Sequence, residues 1–257
     1  MAATEPSATG VDRPLSVVIP CFNEAASVGA LLRRVLASEL VGQVIVVDDA
    51  STDSTLDIVT SITDARVEVI GQPENRGKGA ALRAGFERAR LPFVIVQDAD
   101  LEYDPNEYPL VLGPLLSGDA DVVYGSRFRG GREQRVLYFW HTVGNRLLTL
   151  ASNVSTNLNL TDMETCYKAF RTEIIQSIEI EQERFGFEPE VTAKVAAMRC
   201  RVYEVGISYR GRTYDEGKKI SWRDGVHAMY CIGAYSPLGQ RLGLRRLSGL
   251  VGRLTGA

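Results

Sequence analysis

The chain has 257 residues, 45% of them apolar and 24% charged, with a net charge of −3. That describes one large soluble domain, or one domain with an appendage, able to bury a sizeable core. The mild acidity excludes a generic polyanion binder, so no nucleic-acid partner is expected.

Taken in chain order, residues 1–13 are small and polar. They read as a disordered N-terminus with no apolar signal-peptide segment. "LSVVIP" (15–20) is an apolar β-branched run closed by Pro20, the pattern of a buried strand. The next segment, through residue 38, has apolar residues at helical spacing, with Asn23 as its expected N-cap. "QVIVVDD" (43–49) is a second strand, "ASTDSTLDIVTSI" a turn and helix, and "RVEVIGQ" (66–72) a third strand. "GKGAALRAGFERAR" (77–90) is a third helix and "PFVIVQDAD" (92–100) a fourth strand. This alternation predicts a mainly parallel, Rossmann-like α/β sheet wrapped by helices. Ligands of such sheets sit beyond the carboxyl ends of the strands. Asn23 and Glu24, Asp48 and Asp49, and Asp98 and Asp100 should therefore converge on one crevice.

The second half is less regular. A strand is expected over 120–128, an aromatic-rich helix over 135–154, a helix over 188–198 and a strand over 200–213. From Arg199 onward there are eleven Lys and Arg against four Asp and Glu. This surplus points to a phosphate or a membrane surface, the alternative being a solvated basic face. No apolar run reaches the ~18 residues of a spanning helix, so any membrane contact would be peripheral. Tyr138, Phe139, Trp140, Leu147 and Leu148, with Trp222 and the Arg-rich tail, form a candidate interfacial face; core packing or a homodimer contact is the alternative. Cys21, Cys166, Cys200 and Cys231 lack C-x-x-C spacing, and with two histidines they argue for free thiols rather than a zinc site. The expected divisions are the N-terminus (1–13), one domain (14–230) and a basic amphipathic or flexible tail (231–257).

Two nucleotide loops are excluded by their spacing. No Ser or Thr follows Lys78 in "NRGKGAA", so it is not a P-loop, and Leu82 stands where a dinucleotide fingerprint needs its third glycine. The Asp98-Ala99-Asp100 cluster is the sharper signal. Carboxylates this close repel, and each resists leaving water, so a positive partner is expected among them. A solvated acidic turn is one reading. A hard divalent cation held by one or two carboxylates and completed by water and phosphates is the other.

"VVIPCFNE", "VIVVDDASTDST", "NRGKGAALRAGF", "QDADLEYDP" and "VVYGSRF" follow in order over residues 15–128. This set resembles the family 2 glycosyltransferases of GT-A type fold. "DMETCYKAFR", "RFGFEPEVTAKVA" and "YEVGISYRGRTYDEGKK" look like the dolichyl-phosphate mannose and glucose synthase branch, which implies C-terminal interfacial helices as well.

The resemblance implies an inverting enzyme moving a hexose from UDP-glucose or GDP-mannose to polyprenyl phosphate, with Mg²⁺ or Mn²⁺, peripheral at the cytoplasmic membrane face. It implies that Pro20, Phe22, Glu24 and Asp49 line the nucleoside pocket, with Lys78, Asp98 and Ala99 on the donor. Asp98, Asp100 and Glu102 would hold the metal, Glu102 standing where many mannose synthases carry Gln. Arg127, Arg212, Lys218 and Lys219 would meet the acceptor phosphate, so Asp98, Asp100 and Arg127 are the expected catalytic set. Glu188 and Glu190 lie near where hydroxyl-accepting relatives place a base, although a carboxylate at a helix start is also favoured by the helix dipole. The competing readings are transfer to a soluble or glycan hydroxyl and a sugar-nucleotide-binding protein without turnover.

Overall fold

The computed structural model describes residues 12–130, 135–136, 138–212 and 222–244. Lys218, Lys219, the side chain of Trp222 and the Arg-rich tail from residue 245 lie outside the described residues.

The first half folds as its periodicity predicts. β1 (Leu15–Cys21), α1 (Val28–Leu36), β2 (Val41–Asp48), α2 (Thr55–Thr60), β3 (Val67–Gly71), α3 (Lys78–Arg88) and β4 (Phe93–Val96) alternate in order. β1, β2 and β4 are almost wholly buried, which is why they read as continuous apolar runs rather than alternating ones. Each buried Val, Leu or Ile contributes roughly 1.5–3 kcal/mol, so these three strands anchor the core. Asn23 is not a helix cap. It has φ +52, its N–H donates to Ser51 Oγ at 2.9 Å, and its side-chain oxygen accepts from Thr52 N–H at 2.8 Å. It stitches the loop after β1 to the loop after β2, and the helix starts only at Val28.

The second half adds α4 (Tyr108–Leu116), β5 (Val122–Ser126), α5 (Phe139–Thr156), β6 (Lys168–Arg171), α6 (Thr172–Ser177), α7 (Phe187–Ala197), β7 (Val202–Gly206), α8 (Trp222–Tyr235) and α9 (Pro237–Arg241). The seven strands lie in the order β3-β2-β1-β4-β6-β5-β7. β6 runs antiparallel to both β4 and β5, and the other pairs are parallel. β6 carries no sequence signal of its own: it is four residues long, begins with Lys168 and ends with Arg171. The expected boundary after residue 230 falls inside α8, where Cys231 and Tyr235 are buried against the body. Leu148 packs toward the core rather than outward. Phe139, Trp140, Leu147, Leu150 and Val154 form the exposed stripe of α5. No helix among the described residues is long and apolar enough to cross a membrane.

Candidate active site

The carboxyl ends of β1, β2 and β4 open onto one crevice. At the end of β2, Asp49 is buried and accepts the backbone N–H groups of Arg76 (2.9 Å) and Gly77 (2.6 Å). A carboxylate there complements the positive end of α3 and fixes its first turn. Gly77 has φ +97, and a Cβ on Gly79 would lie 2.1 Å from the Gln182 carbonyl oxygen. Only glycine lets the 182–184 segment sit so close to the start of α3. Lys78, between these glycines, is thereby aimed into the crevice.

Lys78 Nζ lies 3.0 Å from Asp98 and 3.1 Å from Glu188. Burial disfavours its ammonium, yet Asp98, with Cys166 and Glu188 close by, outweighs that and holds its pKa well above the ordinary lysine value. The end of β4 is braced from beneath, where Tyr108 and Tyr167 both donate to the buried Gln97 Oε1, at 2.8 and 2.7 Å. Beyond it the chain turns sharply. Leu101 has φ +64, and Asp100 Oδ1 accepts from Glu102 N–H at 3.1 Å.

Arg212 supplies the second cation. Its Nη2 lies 3.0 Å from Glu24 and 3.4 Å from Asp100. Glu102, which the family resemblance groups with Asp98 and Asp100 as an expected metal ligand, has both oxygens engaged by other groups. Oε1 accepts from Arg212 N–H at 2.7 Å and Oε2 from the Tyr209 hydroxyl at 2.5 Å. Glu107 accepts Ser208 N–H with both oxygens, at 3.1 and 3.0 Å.

Arg127 is more deeply committed than its sequence suggests. Its Nε and Nη2 form a two-pronged pair with Asp162, at 2.7 and 2.8 Å, and its own N–H donates to the same carboxylate at 3.0 Å. Asp162 is fully buried and Arg127 nearly so. A phosphate would have to share this guanidinium with Asp162. Glu190 is likewise engaged: it accepts the N–H groups of Glu181 and Gln182, each at 2.8 Å, and pairs with Lys194 at 2.6 Å. Glu188 differs, because its Oε2 is buried without a hydrogen-bond partner among the described residues.

Near Glu188 lie Glu164 and Lys168, which couple to it electrostatically. Glu164 Oε1 also lacks a partner among the described residues. Burial first, then the Glu188 charge, pushes the Glu164 carboxyl up to about 8. Burial pulls Lys168 down despite both glutamates. Asp162, Glu164 and Lys168 were visible only as letters of the motif "DMETCYKAFR"; nothing in their spacing announces an ionic cluster.

The donor set fits a hard divalent ion. Among the described residues no group of three or more His, Cys, Asp or Glu is placed to hold one. The Asp98 and Asp100 side chains keep 23% and 21% of their surface open. Two carboxylates with room for water and phosphate oxygens suit Mg²⁺ or Mn²⁺.

Comparison with known proteins gives this architecture its class, a glycosyltransferase of GT-A type. The chain belongs to glycosyl transferase family 2, whose family model matches residues 16–179. It is 32% identical over 216 residues to the undecaprenyl-phosphate 4-deoxy-4-formamido-L-arabinose transferase of Pseudomonas aeruginosa, a match covering 81% of this chain and 61% of that protein. It is 31% identical over 215 residues to the undecaprenyl-phosphate mannosyltransferase of Micrococcus luteus, covering 78% of this chain and 85% of that one. Among solved structures, glucosyl-3-phosphoglycerate synthase from Mycobacterium tuberculosis, in complex with Mn²⁺, UDP and glucosyl-3-phosphoglycerate, superimposes with a TM-score of 0.68 at 21% identity, covering 87% of this chain and 80% of that one. The chain spans about three-fifths of the length of the Pseudomonas relative.

Proposed function

We propose that this glycosyltransferase moves a hexose from a nucleotide sugar, UDP-glucose or GDP-mannose, to polyprenyl phosphate, with inversion at the anomeric carbon. Pro20, Phe22, Glu24 and Asp49 would line the nucleoside end of the crevice, and Lys78, Asp98 and Ala99 the diphosphate and sugar end. Asp98 and Asp100 would hold Mg²⁺ or Mn²⁺, which when bound neutralises charge on the departing diphosphate. An acceptor phosphate oxygen bonds to the anomeric carbon as the bond from that carbon to the diphosphate oxygen breaks, and the electron pair leaves with the nucleoside diphosphate. Arg212, with Lys218 and Lys219, would close over the donor and acceptor phosphates and hold the acceptor in line, and Arg127 would contribute while remaining paired with Asp162.

The observation that carries this reading is the state of the two candidate bases. Glu190 is spent on backbone N–H groups and Lys194, and Glu188 is paired with Lys78. A phosphate monoester needs no base, because its second pKa of ~6 leaves it largely ionised at neutral pH. The names of the Pseudomonas and Micrococcus relatives support the same acceptor class. A peripheral position at the cytoplasmic membrane face is supported by the exposed Phe139, Trp140, Leu147, Leu150 and Val154, with Leu238 and Leu242 on and beside α9. The same face could instead pair two copies, and flotation with phospholipid vesicles separates the two. The unpartnered Oε2 of Glu188 favours a second reading, transfer to a hydroxyl with Glu188 as base.

The test is a transfer assay with Mn²⁺, a short polyprenyl phosphate and a panel of radiolabelled nucleotide sugars, counting label in the organic phase. Label with one donor is expected. Label only on a soluble hydroxyl acceptor, abolished by Glu188→Gln, would overturn the proposal in favour of the second reading.

A further inference from the structure

Two acidic residues after β4 fasten one short segment of chain. Glu107 takes the N–H of Ser208 with both oxygens. Glu102 takes the N–H of Arg210 with its carbonyl oxygen at 3.0 Å, the hydroxyl of Tyr209 and the N–H of Arg212 with its carboxylate. Every residue from 208 to 212 except Gly211 is thus bonded to Glu102 or Glu107. Gly211 is held from the other side, its carbonyl oxygen accepting from Arg135 at 3.0 Å. At the end of this fastened segment the Arg212 guanidinium projects onto Glu24 and Asp100.

Three features of this arrangement belong together. The Glu102 carboxylate serves two separate donors, one on each oxygen, whereas an amide would present a single acceptor oxygen to both. The Arg212 backbone is fixed while its side chain has a long stem on which to swing. Its guanidinium rests on Asp100 Oδ2, at a carboxylate that still has about a fifth of its surface open. Two cations at one carboxylate oxygen repel, so an ion bound there and this guanidinium compete.

We propose that Arg212 is a displaceable counter-cation of the Asp98–Asp100 carboxylates, and that Glu102 is a positioning residue for it rather than a metal ligand. The proposal rests on the reading of Asp98 and Asp100 as the divalent-ion site. In the ion-free protein Arg212 neutralises Asp100 and Glu24. When a divalent ion and a diphosphate enter together, the guanidinium leaves Asp100. Its backbone stays tied to Glu102, so it comes to rest against the anionic oxygens that arrive with the ion. The crevice is therefore never left as an unbalanced cluster of carboxylates.

The experiment is direct Mn²⁺ titration of the full chain without nucleotide or turnover, followed by electron paramagnetic resonance of free Mn²⁺. Wild type, Arg212→Ala, Glu102→Ala, Glu102→Gln and Asp100→Ala are compared after circular dichroism confirms folding. Arg212→Ala should tighten Mn²⁺ binding by about three- to tenfold, the order expected for removing a partly exposed ion-pair competitor. Glu102→Ala and Glu102→Gln should change it by less than about threefold, while Asp100→Ala weakens it by more than about tenfold. In a second titration, UDP or GDP binding with saturating Mn²⁺ should weaken in Arg212→Ala and Glu102→Ala together, with Glu102→Gln falling between them and wild type. Weakening of Mn²⁺ binding by Glu102→Ala equal to that of Asp100→Ala would make Glu102 a ligand and overturn its positioning role. Unchanged or weaker Mn²⁺ binding in Arg212→Ala would overturn the counter-cation. Mn²⁺ binding insensitive to Asp100→Ala would instead remove the metal-site reading, and the proposal with it.

Discussion

Two charge clusters flank the crevice, and they are built on opposite principles. At the rim, Asp98, Asp100 and Glu24 meet Lys78 and Arg212 through single contacts of 3.0–3.4 Å, with 12–23% of each side chain's surface open. Deeper in, Arg127 and Asp162 share two side-chain hydrogen bonds of 2.7 and 2.8 Å, with Asp162 wholly enclosed. Pairs that keep part of their surface in water can exchange one contact for another with water or ligands. Buried pairs have already lost their hydration, so neither partner can leave without stranding the other. The rim is suited to taking up an ion and a diphosphate, and the inner pair to holding β5 against the segment before β6.

The comparison breaks first at the inner pair. Asp162→Ala would leave the Arg127 guanidinium buried without a counter-charge, which should cost about 3–5 kcal/mol of stability. Urea denaturation should show a large drop in midpoint with an unchanged slope. A loss below about 1 kcal/mol would mean that the pair is as exchangeable as the rim.

Glu164 gives a middle-sized effect with a definite sign. Its folded-state pKa is raised to about 8 from an ordinary glutamate value of 4.5. Between those values the folded protein keeps a proton that the unfolded chain has released. Stability from this group is therefore full below the unfolded value and falls as pH rises toward about 8. Glu164→Gln should flatten that decline, stabilising the protein by on the order of 2–4 kcal/mol at pH 8 and little at pH 5. Melting curves at the two pH values check it; an equal shift at both would place the effect in packing rather than titration.

The smallest effect lies outside the crevice. Arg201 pairs with Asp121 at 2.6 Å, but the arginine side chain is 54% exposed. Arg201→Ala should lower the urea midpoint only slightly, far less than Asp162→Ala does in the same denaturation assay. A cost equal to that of Asp162→Ala would show that exposure does not separate the two kinds of pair.

The β1–β4 half was legible in the sequence because β1, β2 and β4 are buried apolar runs and α1 is strongly amphipathic, so periodicity and order sufficed. The carboxylates at the strand ends were legible for the same reason. β6 was not, being four residues with a buried Lys168 and no apolar pattern. Asn23 was misread because its type suits a cap and a loop cross-link equally; only the contact with Thr52 decides. Arg127 was found as a residue but not as a partner of Asp162, thirty-five positions away. Glu102 was grouped with its neighbours in sequence, although its bonds go to Tyr209 and Arg212, more than a hundred residues on. Contacts made across the sheet leave no periodic trace, so local pattern alone does not reveal them.

The most direct test of the donor crevice is calorimetric titration of wild type and Asp100→Ala with UDP and with GDP, each with and without Mn²⁺. One nucleotide should bind wild type far more tightly with the ion than without it, and Asp100→Ala should lose that difference while keeping its fold. Nucleotide binding that is independent of Mn²⁺ and indifferent to Asp100 would contradict the assignment of the Asp98–Asp100 carboxylates to an ion on the donor diphosphate.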